Sequence, residues 1–111
     1  MERIDTSAEC LARLLGAASA ARRHRLGIDD AFIFLAFGHL GLSRSRGGWA
    51  IKPVACAEVG QFLGMPKETV RRKAMRLAVL GLVAKGPKGV IVAKVDDWLD
   101  LVAAITPGSR G

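Results

Sequence analysis

Apolar residues recur at helical spacing through five stretches of the chain, and shorter runs between them read as strands. Leu11, Leu14, Leu15, Ala18 and Ala21 trace one face of a first helix, predicted from Thr6 to about Arg25. Thr6-Ser7-Ala8-Glu9 fits a capping box that would open it. A second helix is predicted from Ala31 to about Leu40, with Asp29 or Asp30 as its cap. It contains Phe32, Ile33, Phe34, Leu35 and Phe37 and is apolar nearly all round. Such a helix must lie at the centre of the core, pack partly against a second copy, or both.

Ser43 to Gly48 reads as a flexible polar loop, and Trp49 to Pro53 as a short strand ended by proline. Val59, Phe62 and Leu63 share one face of a third helix. Gly60 leaves that helix without a side chain where a neighbour would cross. Gly64 can take the left-handed backbone that ends a helix, and Pro66 suits the first turn of the next. In that fourth helix, 66–80, Val70, Ala74 and Leu77 form the buried face, extended to Gly81. Lys67, Thr69, Arg71, Arg72, Lys73 and Arg76 are left on the other side, and Met75 points outward.

Two β-branched runs, Leu82 to Lys85 and Val90 to Ala93, joined by Gly86-Pro87-Lys88-Gly89, predict a hairpin. Asp96 or Asp97 caps a last helix to about Ile105 with an apolar stripe of Trp98, Leu99, Val102 and Ile105. Thr106-Pro107-Gly108 stops it ahead of a frayed tail. The fold class expected is mainly α with a small β-hairpin. At 111 residues the chain suits one compact domain. It is organised as a helical segment over 1–45, a helix-turn-helix with hairpin over 46–94, and a C-terminal helix and tail over 95–111.

Charge sharpens this picture, because the net +7 is unevenly placed. Residues 1–43 carry five basic and five acidic side chains, 44–65 three and one, 66–94 eight and one, and 95–111 one and three. A surplus confined to the fourth helix and the hairpin is the electrostatic footprint of a phosphate backbone. A tight helix-turn-helix whose second helix is basic is also the shape that presents side chains to the major groove. The cluster Arg22-Arg23-His24-Arg25 opposes the negative end of the first helix dipole, or else meets a phosphate at the edge of that surface. Arg44 and Arg46 read as solvated.

From Trp49 to Ala93 the sequence resembles the winged helix-turn-helix domain of bacterial transcription regulators of the gluconate-repressor and MarR-like types. Leu63-Gly64, Thr69-Val70-Arg71-Arg72, Arg76-Leu77, Leu80-Gly81-Leu82-Val83 and Gly89-Val90-Ile91-Val92 carry the likeness in order and spacing. The resemblance implies a winged helix-turn-helix core, around which the apolar spacing places two extra N-terminal helices and a C-terminal helix. It also implies a sequence-specific regulator on double-stranded DNA. Lys67, Thr69 and Arg71 would contact bases, and Arg72, Lys73 and Arg76, with Lys85 and Lys88 on the wing, would meet phosphates. Glu68, exposed among these cations, would either accept from a cytosine N4 or, the favoured reading, restrain Lys67 and Arg72. Residues 1–45 lie outside the likeness.

A homodimer is expected through Leu11, Leu15, Phe32, Phe34, Phe37 and Trp98. Trp49 and Trp98 read as core or interface anchors. The competing class is a winged helix used as a protein-interaction module, for which an exposed apolar groove is the expected mark. An enzyme is not expected: the sequence has no glycine-rich phosphate loop, paired-cysteine motif or nucleophile elbow. No metal or cofactor is expected either. His24 and His39 lack ligand partners at sequence spacing, and Cys10 and Cys56 read as structural residues among small apolar neighbours. The apolar run 31–42 is too short to span a bilayer, and the N-terminus has no signal-peptide core, so a cytoplasmic, nucleoid-associated protein is expected.

Overall fold

The computed structural model describes the backbone of residues 2–105 and side chains from residue 8 onward. The stop signal at Thr106-Pro107-Gly108 and the tail after it lie outside the described residues. Within them the chain is mainly helical, with two small antiparallel hairpins.

Helix α1, Glu2–Arg23, starts ahead of the predicted capping box, so Thr6 and Ser7 are helical positions and not its boundary. Glu2 and Arg3 are good helix formers, and an acidic residue in the first turn favours the positive end of the dipole. The face that packs also differs from the predicted one. Ala17, Ala20 and Ala21 are buried, whereas Leu11, Leu14 and Leu15 are exposed. Small residues bring α1 close to helix α5, Val95–Ile105, with the Ala104 carbonyl 3.2 Å from where a Cβ on Gly16 would lie. The Leu26 N–H closes α1 on the Ala21 carbonyl at 2.9 Å.

Helix α2, Ile28–Gly41, is the central element and touches α1, α5 and the segments described below. Ile33, Phe34 and Phe37 are fully buried, each stabilising the fold by about 1.5–3 kcal/mol. Gly27 occupies the N-cap without a side-chain bond, so neither aspartate caps α2; both lie in its first turn. Asp30 is instead a buried carboxylate, 3% exposed. Trp98 of α5 lies over Gly38, where a Cβ would come 2.1 Å from the indole nitrogen. That nitrogen donates to the Leu35 carbonyl at 3.2 Å. In α5 the fully buried residue besides Trp98 is Leu101, while the predicted Leu99 is exposed. The Lys94 carbonyl, with no aspartate cap, receives the Trp98 N–H at 3.2 Å.

The predicted loop at 43–48 is a hairpin, strands β1, Leu42–Ser45, and β2, Gly48–Ile51. β2 falls on the strand expected at Trp49 to Pro53, whereas β1 escaped notice because it is largely exposed and polar, with no alternating apolar pattern. A cross-strand pair serves in its place: Arg44 faces Trp49, its guanidinium 5.9 Å from the ring centroid. Trp49 is therefore a surface residue, not a core anchor.

Helices α3, Cys56–Leu63, and α4, Lys67–Val79, follow, then strands β3, Val83–Gly86, and β4, Gly89–Val92. Both helices and β4 pack on α2. The core of α3 to β4 comprises Val59, Val70, Ala74, Leu77, Leu82, Val83, Val90 and Val92. Gly81 is exposed and ends the buried face one turn earlier than predicted. Among the described residues no helix is long and apolar enough to cross a membrane.

Candidate nucleic-acid interface

The turn between α3 and α4 is tight for reasons local to its sequence. Gly64 takes φ 71°, the left-handed backbone that glycine adopts without steric cost, and the Met65 N–H reaches back to the Gly60 carbonyl at 2.8 Å. Gly60 must lack a side chain, since a Cβ there would lie 2.7 Å from the Met65 carbonyl oxygen. Pro66 stands at the N-cap of α4, one position before the first helical turn, and its carbonyl receives the N–H groups of Thr69 and Val70 at 3.0 and 3.2 Å. Val70, Ala74 and Leu77 are fully buried beneath the helix. Its N-terminal half is thereby held with one side outward.

The β3–β4 hairpin is fixed beside that helix by an extra bridge. Val54, just ahead of α3, exchanges both backbone hydrogen bonds with Val90, each 2.8 Å. Gly89, at φ 129°, passes so close to the Val54 carbonyl that a Cβ would fall 2.6 Å from it. The hairpin tip is thus anchored at its base, and Lys85 and Lys88 are exposed.

Between tip and helix lies a cleft of about 330 Å³ whose lining includes Lys67, Arg71, Lys85 and Lys88 and no carboxylate. Cys56, at the start of α3, also lines it, a placement the sequence did not signal; Cys10 is exposed, contrary to a packing role. Thr69 does not join this cleft. It lines a separate hollow of about 240 Å³ with Arg72, Lys73 and Arg76, so the three expected base contacts fall on two adjoining surfaces.

Several of the cations are already engaged. The Arg71 Nε donates to both Glu68 carboxylate oxygens at 3.0 Å, a further nitrogen contacts the same carboxylate, and Nη1 lies 3.2 Å from the Met75 sulfur. The hydrogen bond from Arg71 holds the Glu68 carboxyl below the usual carboxylate range, with the Arg71 and neighbouring positive charges adding to it. Glu68 therefore restrains Arg71, a residue one turn on, in place of the expected Lys67 and Arg72. On the other surface the Lys73 Nζ lies 3.4 Å and the Arg76 Nε 3.9 Å from the two carboxylate oxygens of Asp30. Asp30, the only buried carboxylate among the described residues, thus ties α4 to α2 and offsets two of the expected phosphate contacts. Sequence reasoning missed it because an aspartate at a helix start reads as a cap.

The basic cluster at the end of α1 serves a different contact. Arg23 lies 3.3 Å from Asp100, and His24 bridges Asp100 at 2.8 Å and Asp97 at 3.6 Å. The hydrogen bond from His24, then that from Arg23, keeps the Asp100 carboxyl below its ordinary value. Among the described residues no group of three or more His, Cys, Asp and Glu side chains is placed to hold a metal.

The residues expected at a dimer interface divide. Phe34 and Phe37 lie inside the chain's own core and have no surface to offer, a correction that follows from the central position of α2, while Trp98 is buried except where it lines an apolar cleft. Leu11, Leu15 and Phe32 are exposed. Phe32 also borders an apolar cleft of about 460 Å³ between α2, α3 and α5, where His39 meets Phe62 with ring centroids 5.6 Å apart. No protein-family model, curated protein or solved structure matches the chain.

Proposed function

We propose that the chain is a winged helix-turn-helix protein that binds double-stranded DNA and regulates transcription. In this reading α4 enters the major groove, and the β3–β4 hairpin is the wing against the flanking backbone. The observation that carries it is the carboxylate-free cleft between Lys67, Arg71, Lys85 and Lys88. Lys67, Lys85 and Lys88, with Arg71 partly neutralised by Glu68, gather from a helix start and a hairpin tip, and their mutual repulsion is offset when phosphates lie between them. Lys67 and Arg71, one helical turn apart, reach base edges; Arg72, Lys85 and Lys88 meet phosphates.

A second reading, a winged-helix module that binds another protein, draws on the apolar cleft lined by Phe32, Leu35, Phe62 and Trp98. Charge favours the first reading, because a protein-binding groove on α2, α3 and α5 gives the cationic cleft nothing to do.

Selection from a pool of random duplexes, followed by sequencing, tests the proposal. An enriched motif is expected. Arg71→Ala should erase the preference for that motif, while Lys88→Ala should weaken binding to enriched and random duplexes by similar factors. Absence of binding even at low salt would reject the DNA reading and leave the protein-interaction module.

A further inference from the structure

We infer that α1 is a dimerisation helix that pairs antiparallel with α1 of a second copy. The helix has two apolar faces, and only one is used within the chain. Ala17, Ala20 and Ala21 are buried, whereas Leu11, Leu14 and Leu15 are 58%, 47% and 67% exposed. Ala8, Leu11, Leu15 and Ala18 follow one another at intervals of three, four and three residues, the spacing of a coiled-coil seam. Leu14 flanks that seam. The second face is therefore a regular stripe and not scattered apolar exposure.

The stripe is self-complementary in one direction. With the helices antiparallel and centred between Leu11 and Leu15, each Leu11 meets the other copy's Leu15 and each Ala8 meets its Ala18. Small residues at both ends let the backbones approach closely while leucines fill the middle. Charge selects the same direction. Residues 2–9 hold Glu2, Asp5 and Glu9 against Arg3, and residues 22–25 hold Arg22, Arg23 and Arg25 with no acid, while Arg13 at the centre is paired with Glu9 of its own helix at 3.8 Å. Antiparallel pairing sets the acidic end of one helix beside the basic end of the other and opposes the two dipoles; parallel pairing sets like against like. A helix lying on a membrane surface would border its apolar face with Lys and Arg along its length, which the acidic first half of α1 does not do.

Two such helices in contact bury on the order of 1,000 Å² in total, the low end for a specific interface, so dissociation in the micromolar range is expected. Sedimentation equilibrium of the full chain across that range tests this. Leu15→Glu changes a side chain that is 67% exposed, leaves the core untouched, and should raise the dissociation constant at least tenfold, with a thermal melt that is unchanged at concentrations where both proteins are monomeric. Direction is read by cross-linking in a Cys10→Ser, Cys56→Ser background. Chains carrying Ala8→Cys should join chains carrying Ala18→Cys on oxidation. Ala8→Cys alone should not self-link, because antiparallel pairing separates the two thiols by about 15 Å along the axis, beyond disulfide reach. A monomer at every concentration would overturn the inference, and so would an unchanged dimer of Leu15→Glu or self-linking of Ala8→Cys. A monomer that instead cosediments with phosphatidylserine vesicles would overturn it in favour of a membrane surface.

Discussion

Asp30 shows how one buried side chain changes the reading of its neighbours. By type and position Lys73 and Arg76 belong to a cationic helix face. In the folded chain their nitrogens lie within 4 Å of a carboxylate that is 3% exposed. Asp30→Ala removes the group that holds them but leaves two cations that can turn to solvent. Stability should fall by about 2 kcal/mol, less than for a fully enclosed pair. The freed cations then become available to phosphate, so the slope of log K against log salt for duplex binding should steepen by about 1–2 while chemical denaturation shows the loss. A variant that is destabilised with an unchanged slope would leave Asp30 a purely structural tie. The buried face of α4 was legible from the spacing of Val70, Ala74 and Leu77, since that pattern is local. The engagement of Lys73 was not, because its partner lies 43 residues away and looked like a cap.

At the scale of elements, close backbone approach decides how α2 and α5 meet. Gly38→Ala gains about 1 kcal/mol in helix propensity but drives a methyl into the indole of Trp98, which is held by its bond to the Leu35 carbonyl. Overpacking should win by about 2 kcal/mol, read as a lower melting temperature with a changed near-ultraviolet Trp signal. The α1–α5 contact carries a pH dependence of stated sign. Asp100 is held below its ordinary range in the folded chain, so the unfolded chain binds its proton more readily. The stabilisation is full above the unfolded value, about 4, and is lost as pH falls through the folded value. Wild type should melt above Asp100→Asn at pH 7, and the gap should close towards pH 3. The α3–α4 turn and the β3–β4 hairpin were readable because glycine and proline mark them directly. In the β1–β2 hairpin only β2 was legible, since polar β1 carries no buried face and left no periodic trace, and the leucines of α1 showed an apolar face without saying what covers it.

For the whole molecule, the proposed duplex binding carries a salt dependence that joins the charge map to the oligomeric state. Of the eight cations in 66–94, Lys73 and Arg76 face Asp30. Lys94 is not among the residues lining the cationic cleft. Glu68 offsets one charge among Lys67, Arg71, Arg72, Lys85 and Lys88, leaving a net of about four per chain for phosphates. Counterion release then gives a slope near −4 for one copy and roughly twice that for two copies on a single duplex. Between 50 and 200 mM salt a slope of about −4 weakens binding roughly 250-fold, and the doubled slope weakens it by about the square of that. Fluorescence anisotropy on a long duplex, run for wild type and for Leu15→Glu, separates the two contributions. If α1 pairs as inferred and both copies engage, wild type should show the steeper line and Leu15→Glu should fall back to about half. Equal slopes near −4 would mean that the copies bind independently even where they associate, and a slope shallower than about −1 would remove phosphate contact as the source of affinity altogether.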